Sequence, residues 1–249
     1  MALCLGIGGP AWAACKAESG PRTAALVELY TSEGCNSCPP ADRWLSGLPG
    51  RGYASDRVVP IALHVDYWDY IGWKDPYARR EFSLRQRRLS QMQRLALVYT
   101  PQVLVQGRDF PRWGSEAFDA AVAQINAQAA KARIALEISE LKPGAMLARA
   151  DAELLDPAQQ ADAVLYLAAY ENRLISRVMA GENRGRTLNH DYVVLEWQGP
   201  FAFAPDHRLS QTRAMPLLPG AVPANSGLVG FVQNRRTGEV LQALLRSSC

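Results

Sequence analysis

The first half of the chain alternates short apolar runs with stretches in which apolar residues recur at helical spacing. The short runs are rich in β-branched residues and predict buried strands, whereas the longer stretches predict amphipathic helices. The predicted order is strand 24–30, a helix from Pro39, strand 57–65, helix 81–96, strand 103–105, a hairpin turn at 106–109 with its returning strand, and helix 115–125. This β-α-β-α-β-β-α order indicates an α/β domain with a central mixed sheet flanked by helices.

The composition changes near Ala132, and from there the apolar patterns are those of short strands. The predicted strands are 134–138, 145–150, 163–170, 173–179, 191–197, 207–214, 227–233 and 239–245. Short strands at close spacing, separated by turns, are typical of a β-sandwich. We therefore predict a signal segment and lead-in at 1–20, an α/β domain at 21–131 and a mostly β, sandwich-like domain at 132–249.

Two cysteines lie between the first predicted strand and the helix that follows it. Cys35 and Cys38 form a CxxC motif, and Pro39 suits the first turn of the helix. A thiol at a helix N-terminus is stabilised as a thiolate by the helix dipole and the free amide groups. We expect Cys35 to be an exposed nucleophile and Cys38 the shielded thiol that resolves the mixed disulfide. The motif predicts thiol–disulfide exchange on protein substrates.

A proline and an acid are predicted to assist this chemistry. Pro101 opens a strand opposite the active-site helix and is a natural place for a cis peptide bond, which would leave the Thr100 backbone free to pair with an extended substrate. Glu28 lies in an otherwise apolar strand, seven residues before Cys35. A buried carboxyl there would have a raised pKa and could relay protons to the resolving thiol. The alternative is that Glu28 faces solvent.

An aromatic loop follows the second predicted strand. Its residues Tyr67 and Trp68, with Tyr99 and Gln102 around the proline, are predicted to contact the substrate. The loop at 67–73 would then roof the site. The alternative is that it packs between the two domains.

The remaining cysteines point to export. The first fifteen residues are apolar and end in a small-residue cleavage site before Cys15, although no basic residue precedes it, which predicts a truncated or misassigned signal. Cys15 and Cys249 are predicted to form a structural disulfide that ties the two termini together. Lipid modification of Cys15 is the alternative. The expected location is periplasmic or secreted.

The composition excludes several classes of function. The net charge of +3 is small, the basic residues are scattered, and no nucleic-acid motif occurs. We predict no membrane span, no cofactor and no metal, with a protein thiol or disulfide as the partner. The alternative is a non-catalytic binding module, or a copper carrier that uses Cys35, Cys38 and His64. Residues 181–185 lack the GK[ST] ending of a phosphate loop, and predict instead a turn bearing Asn183 that docks onto the first domain.

Several segments resemble one known family of secreted bacterial proteins, classed as a domain of unknown function with a thioredoxin-like core. The segments are 28–42 (ELYTSEGCNSCPPAD), 64–69 (HVDYWD), 72–76 (GWKDP), 99–102 (YTPQ), 181–188 (GENRGRTL) and 190–194 (HDYVV). The resemblance implies a thioredoxin-like fold for the first domain and a setting outside the cytoplasm. It supplies no substrate.

Overall fold

The structure is a computed structural model that describes residues 15–248. The strands are β1 (Cys15–Glu18), β2 (Ala25–Thr31), β3 (Val58–His64), β4 (Gln102–Val105), β5 (Arg108–Asp109), β6 (Ala132–Lys142), β7 (Ala145–Leu154), β8 (Ala163–Glu171), β9 (Leu174–Arg177), β10 (Thr187–His190), β11 (Val193–Ala202), β12 (Arg208–Pro216), β13 (Ser226–Asn234) and β14 (Val240–Ser247). The α-helices are α1 (Pro39–Ser46), α2 (Arg80–Met92) and α3 (Glu116–Asn126).

One large sheet contains strands from both halves of the chain. Its eight strands run in the order β14-β13-β8-β11-β3-β2-β4-β5. The halves meet where β11 lies parallel to β3, with Val193 opposite Ala62. The amide of Ala62 also donates to the carbonyl of Tyr192 at 2.8 Å. This pairing fills the edge that β3 would otherwise leave open.

The predicted fold class is therefore wrong. The chain is mostly β, with 43% strand against 20% helix, and it is not a helix-flanked thioredoxin-like domain followed by a separate sandwich-like domain. The reason is that periodicity identifies strands but not their partners, so the pattern could not indicate that β11 would extend the first sheet. The boundaries at 21–131 and 132–249 stay a prediction, and no helix within residues 15–248 is long and apolar enough to cross a membrane.

A second sheet of four strands, in the order β1-β6-β7-β12, packs against one face of the large sheet. In β6 the side chains of Ile134, Leu136 and Ile138 are buried, while the residues between them are less so, as expected for a strand with one face in a core. They pack with Leu165 and Leu228 from the large sheet. Cys15 belongs to this core and β1 pairs with β6, so residues 15–18 of the predicted lead-in join the second half of the chain.

The alternation along β2 divides the helices between the two faces of the large sheet. Leu26 and Tyr30 pack with α2, whereas Val27 and Leu29 pack with α1 and α3. Glu28, at an even position like Leu26 and Tyr30, therefore faces α2. The helix that carries the CxxC motif lies on the opposite face.

Candidate functional site

Cys35 and Cys38 are joined in a disulfide with 5.5 Å between their Cα atoms. Cys38 caps the N-terminus of α1, and its carbonyl accepts from the amides of Ala41 and Asp42 at 2.9 and 3.1 Å. Pro39 occupies the first turn, where its missing N–H costs no helical hydrogen bond. The structure thus places the dithiol at a helix N-terminus, which favours a thiolate when the bond is opened.

Both cysteines are fully buried, at 0% exposure. The prediction of an exposed Cys35 is therefore wrong for the disulfide-bonded chain. The two residues between the cysteines, Asn36 and Ser37, are exposed. The Ser37 hydroxyl lies 3.3 Å from Cys35 Sγ and can donate a hydrogen bond to it.

The cover over Cys35 comes from the second half of the chain. Strands β9 and β10 form a sheet of their own and, with the turn between them, make an arm at residues 174–190. The Asn183 amide donates to the carbonyls of Glu33 and Cys35 at 2.8 Å each. The amide of Asn36 donates to Glu182 Oε2 at 3.0 Å. The predicted docking of this turn onto the first half is confirmed.

Ile71 fills the space between the arm and the CxxC loop. A Cβ added at Gly34 would come 3.2 Å from its Cδ1, and one added at Gly181 would come 3.0 Å from the same atom. Gly181 also has a φ of 71°, a conformation that side chains other than glycine rarely adopt. Glycine at both positions lets the arm approach the disulfide closely.

The aromatic loop connects the CxxC loop to the proline. The indole N–H of Trp68 donates to Thr100 Oγ1 at 2.7 Å, and the peptide bond between Thr100 and Pro101 is cis. A Cβ at Gly34 would also lie 3.3 Å from the Trp68 Cβ. Trp68 thus contacts both the segment that leads into Cys35 and the proline turn.

The other predicted substrate contacts are engaged within the protein. The Tyr67 hydroxyl donates to Gln86, and the Tyr99 hydroxyl donates to Asp109 at 2.9 Å. Gln102 is fully buried, with its amide between Gln86 and Asp109. Gln102 is thus buried beside the proline turn, and its contact with a substrate stays a prediction.

Glu28 lies away from the disulfide. It is fully buried on the α2 side of the sheet, where Arg85 donates to both carboxylate oxygens at 2.7 and 3.0 Å. The Tyr30 hydroxyl donates to Oε2 at 3.0 Å. Neither the predicted proton relay to Cys38 nor the solvent-facing alternative agrees with this placement, because the sheet separates Glu28 from α1 and Arg85 neutralises it.

A buried cluster of acids and histidines lies beside the CxxC loop. It consists of Glu33, Asp42, His64, Asp75 and His190, which are between 0% and 7% exposed. His64 Nδ1 lies 2.7 Å from Asp75 Oδ2, and His190 Nε2 lies 3.2 Å from Glu33 Oε1. The two imidazole rings are 5.0 Å apart, centroid to centroid.

The cluster is further fixed by two N–H donors. The indole of Trp73 donates to Glu33 Oε2 at 2.7 Å, and the amide of Glu33 donates to Asp75 Oδ2 at 2.8 Å. Glu33 is two residues before Cys35, and Asp42 is one helical turn after Cys38. The cluster therefore touches the chain on both sides of the disulfide.

The charges in the cluster shift each other's titration. Burial raises the pKa of Asp42, an effect that the nearby His190 and His64 reduce but do not cancel. Burial would lower the pKa of His64, but the Asp75 carboxylate outweighs it and the pKa is raised. Burial would raise the pKa of Asp75, and His64 reverses this so that the pKa is lowered.

The sequence predicts only part of this cluster. His64 is a candidate copper ligand in the alternative function, whereas Glu33, Asp42, Asp75 and His190 have no predicted role. Glu33 and Asp42 flank the CxxC motif closely, which was a usable signal. No sequence signal places His190 beside them. Within residues 15–248 no three His, Cys, Asp or Glu side chains are arranged to hold a metal ion.

The predicted terminal disulfide falls partly outside the described residues. Cys15 starts β1 and is disulfide-bonded. Cys249 lies outside the described part of the chain, so its pairing with Cys15 stays a prediction.

A family model described as a protein of unknown function (DUF1223) matches residues 26–233. The chain belongs to this family. The predicted membership in a family of unknown function is confirmed, and the match adds no activity. None of the curated proteins is similar enough to this chain to count as a match.

Solved structures share the fold at low sequence identity. A crystal structure of a protein from Agrobacterium tumefaciens has a TM-score of 0.59 and 20% identity, and covers 93% of this chain and 97% of that one. HBP35 of Porphyromonas gingivalis has a TM-score of 0.69 and 16% identity, over 92% of this chain and 76% of that one. A domain of the outer membrane lipoprotein Omp28 from the same organism has a TM-score of only 0.32, over 48% of this chain. At these identities the first two indicate a common fold alone.

Proposed function

We propose that this protein is a thiol–disulfide oxidoreductase that acts on protein dithiols and disulfides outside the cytoplasm. The observation that carries the proposal is the Cys35–Cys38 disulfide at the N-terminus of α1. A CxxC disulfide held there has a leaving thiolate that the helix dipole stabilises, which is what exchange requires.

In the oxidising direction a substrate thiolate attacks Cys35 Sγ. The bond between the two cysteines breaks, and Cys38 leaves as a thiolate that takes up a proton. The second substrate thiolate then attacks the substrate sulfur of the mixed disulfide and releases Cys35. The substrate loses two electrons and the CxxC pair gains them. The reducing direction is the reverse of these steps.

The arm must move before a protein substrate reaches Cys35, because that residue has no exposed surface in the closed form. The hydrogen bonds of Asn183 and Glu182 hold the arm closed. Opening at this point would leave the CxxC loop next to Trp68 and the turn at Thr100 and Pro101. We assign these three residues to substrate contact.

A location outside the cytoplasm is supported by chemistry and sequence. Disulfides persist in oxidising compartments and are rare in the cytosol. In this chain Cys35 and Cys38 form a disulfide. The apolar N-terminal stretch that precedes Cys15 supports export.

The test is to trap substrates with Cys38→Ser. Without the resolving thiol, mixed disulfides on Cys35 should accumulate and be released by dithiothreitol. Cys35→Ser is the matched control, since it lacks the attacking thiol and should trap nothing. If the Cys38→Ser chain captures no more protein than this control, the proposal fails.

A structural disulfide in a non-catalytic binding module is the second candidate, because the burial of both cysteines favours it. Equilibration with glutathione mixtures separates the two functions. An exchange enzyme should be half reduced within the range of glutathione buffers, and its Cys35 should be alkylated rapidly below pH 7. A structural bridge should stay oxidised throughout that range. Stoichiometric copper binding by the reduced chain would instead indicate a copper carrier.

A further inference from the structure

The proposed exchange leaves a thiolate at a buried position. Cys38 is fully buried, and it becomes a free thiolate when the disulfide opens. The helix N-terminus offsets part of the cost of burying that charge, but the stable reduced form of a buried thiol is the neutral one. A proton must therefore reach Cys38 from a group inside the protein.

Asp42 lies one helical turn after Cys38, in the first turn of α1. Cys38 already has helical backbone angles, so Asp42, four residues later, lies on the same face of α1. Its amide donates to the Cys38 carbonyl at 3.1 Å, and its side chain is buried with 7% of the residue exposed. Burial raises the pKa of this carboxyl, and a raised pKa makes a carboxyl better suited to act as a general acid.

The two histidines behind Asp42 have unused ring nitrogens. Nε2 of His64 and both ring nitrogens of His190 are buried and have no hydrogen-bond partner among residues 15–248. His190 Nε2 lies within ion-pair distance of Glu33, but without hydrogen-bond geometry. Buried polar atoms are almost always hydrogen-bonded, so these three ring nitrogens, together with Glu33 Oε1 in the same cluster, require a reason. A position that gains and loses a proton during the reaction is such a reason.

We propose that Asp42, with His64 and His190 behind it, gives a proton to the Cys38 thiolate when the disulfide opens and takes it back when the disulfide forms. This inference rests on the proposed function. The proton leaves the Asp42 carboxyl and forms the S–H bond of Cys38. An imidazolium of the histidine pair then reprotonates the carboxylate. The cluster recovers its proton from the solvent, which has received it from the attacking substrate thiol.

The charged and titratable groups that face this pathway come from several elements. They are Glu33 before the CxxC loop, Asp42 on α1, His64 at the end of β3, Asp75 and Tyr77 after the aromatic loop, and His190 at the end of β10. Asp69 also contributes, because it accepts from the amide of Asp75 at 3.2 Å. The negative charges of Asp75 and Glu33 favour the imidazolium form of His64, which keeps a proton available.

The experiment is reduction of the full chain by dithiothreitol between pH 5 and pH 9, with the rate divided by the concentration of dithiothreitol thiolate. Asp42→Asn should slow this rate by about 100-fold, the lower end of what general acid catalysis contributes, and should remove the inflection of the pH profile. Glu116→Gln, an exposed change in the first turn of α3, is the control and should leave both unchanged. An Asp42→Asn chain with the wild-type rate and inflection would overturn the inference.

A second measurement needs no variant. The titration of the Asp42 carboxyl, followed by carbon NMR in the wild-type chain, should shift between the oxidised and reduced states. An identical titration in both states would also overturn the inference. Dithiothreitol is not a protein substrate, so these results are independent of the trapping experiment. Failed trapping with a normal Asp42 effect removes the proposed function, whereas normal trapping without the effect removes only the proton path.

Discussion

His64 and Asp75 show what one buried pair contributes. Both side chains are completely buried, and the ring nitrogen and the carboxylate oxygen are 2.7 Å apart. The raised pKa of His64 gives stability that is full below about pH 6.5 and is lost as the pH rises through the folded-state pKa. The lowered pKa of Asp75 gives stability that is present above about pH 3.8 and is lost as the pH falls through its folded-state pKa. The pair is therefore most stabilising between these limits.

Asp75→Asn should lower the free energy of unfolding by about 3 kcal/mol near pH 5.5, because it leaves a buried imidazolium without its counter-charge. The loss should be smaller at pH 9 than at pH 5.5, because the imidazolium loses its charge as the pH rises through the folded-state pKa of His64. Urea unfolding of the wild type and of Asp75→Asn at the two pH values measures this difference in unfolding free energy. Asp56→Asn, an exposed change, is the control and should have little effect at either pH. A loss that is equal at both pH values would contradict the ion pair.

The pair of Glu28 and Arg85 gives a second prediction. The guanidinium lies 5.0 to 5.2 Å from the ring centroids of Tyr166, Trp197 and Phe231 and bonds both oxygens of the buried carboxylate. Arg85→Met should lower the free energy of unfolding by about 3–5 kcal/mol, since it strands the charge of Glu28. Adding Glu28→Gln to Arg85→Met should recover part of that loss. If denaturant unfolding shows that the losses of the two single variants add up to the loss of the double variant, the two charges are not coupled.

The arm is the element that controls access to the disulfide. It is hydrogen-bonded to the CxxC loop through Asn183 and Glu182. Asn183→Ala removes two buried hydrogen bonds of about 1 kcal/mol each. We expect the arm to open more often and reduction by glutathione to become about 30-fold faster, since every 1.4 kcal/mol corresponds to a factor of ten.

The matched control for the arm is Asn126→Ala. The Asn126 amide also donates to two carbonyls, those of Thr23 and Arg57 at 2.9 and 3.0 Å, but at the end of α3. This change should leave the reduction rate within twofold of the wild type. Equal acceleration in both variants would mean that general loosening, and not the arm, exposes Cys35.

The elements nearest the disulfide were predictable because their signals are local. A strand, a CxxC motif and an N-terminal proline specify the turn at Cys35 and α1 from adjacent residues alone. The signal for the arm is weaker, since the sequence predicts only a turn with Asn183 that docks onto the first half. The contact of Glu33 with His190 cannot be predicted from local sequence, because the arm formed by β9 and β10 is what brings His190 to Glu33.

At the scale of the whole molecule, the prediction failed where strand pairing decides the architecture. The strands of the second half were identified as strands, yet nothing in an apolar run specifies which edge it joins. β11 lies between β8 and β3, and the core on its α2 side combines Leu26 and Phe82 with Tyr166 and Phe231 from the second half. Strands from both patterns therefore share one eight-stranded sheet.

This shared sheet predicts how fragments behave. The fragment 15–131 would expose the edge of β3, lose the second-half residues of the core beneath α2 and lose Gln242, whose side chain accepts from the amide of Ala24 at 2.9 Å. We expect it to be unfolded or aggregated, with weak dispersion in an NMR spectrum. The full chain should unfold in one transition, seen equally by tryptophan fluorescence and far-UV circular dichroism. A folded, monomeric 15–131 fragment would restore the division into two independent domains, because a sheet that depends on β11 cannot survive its removal.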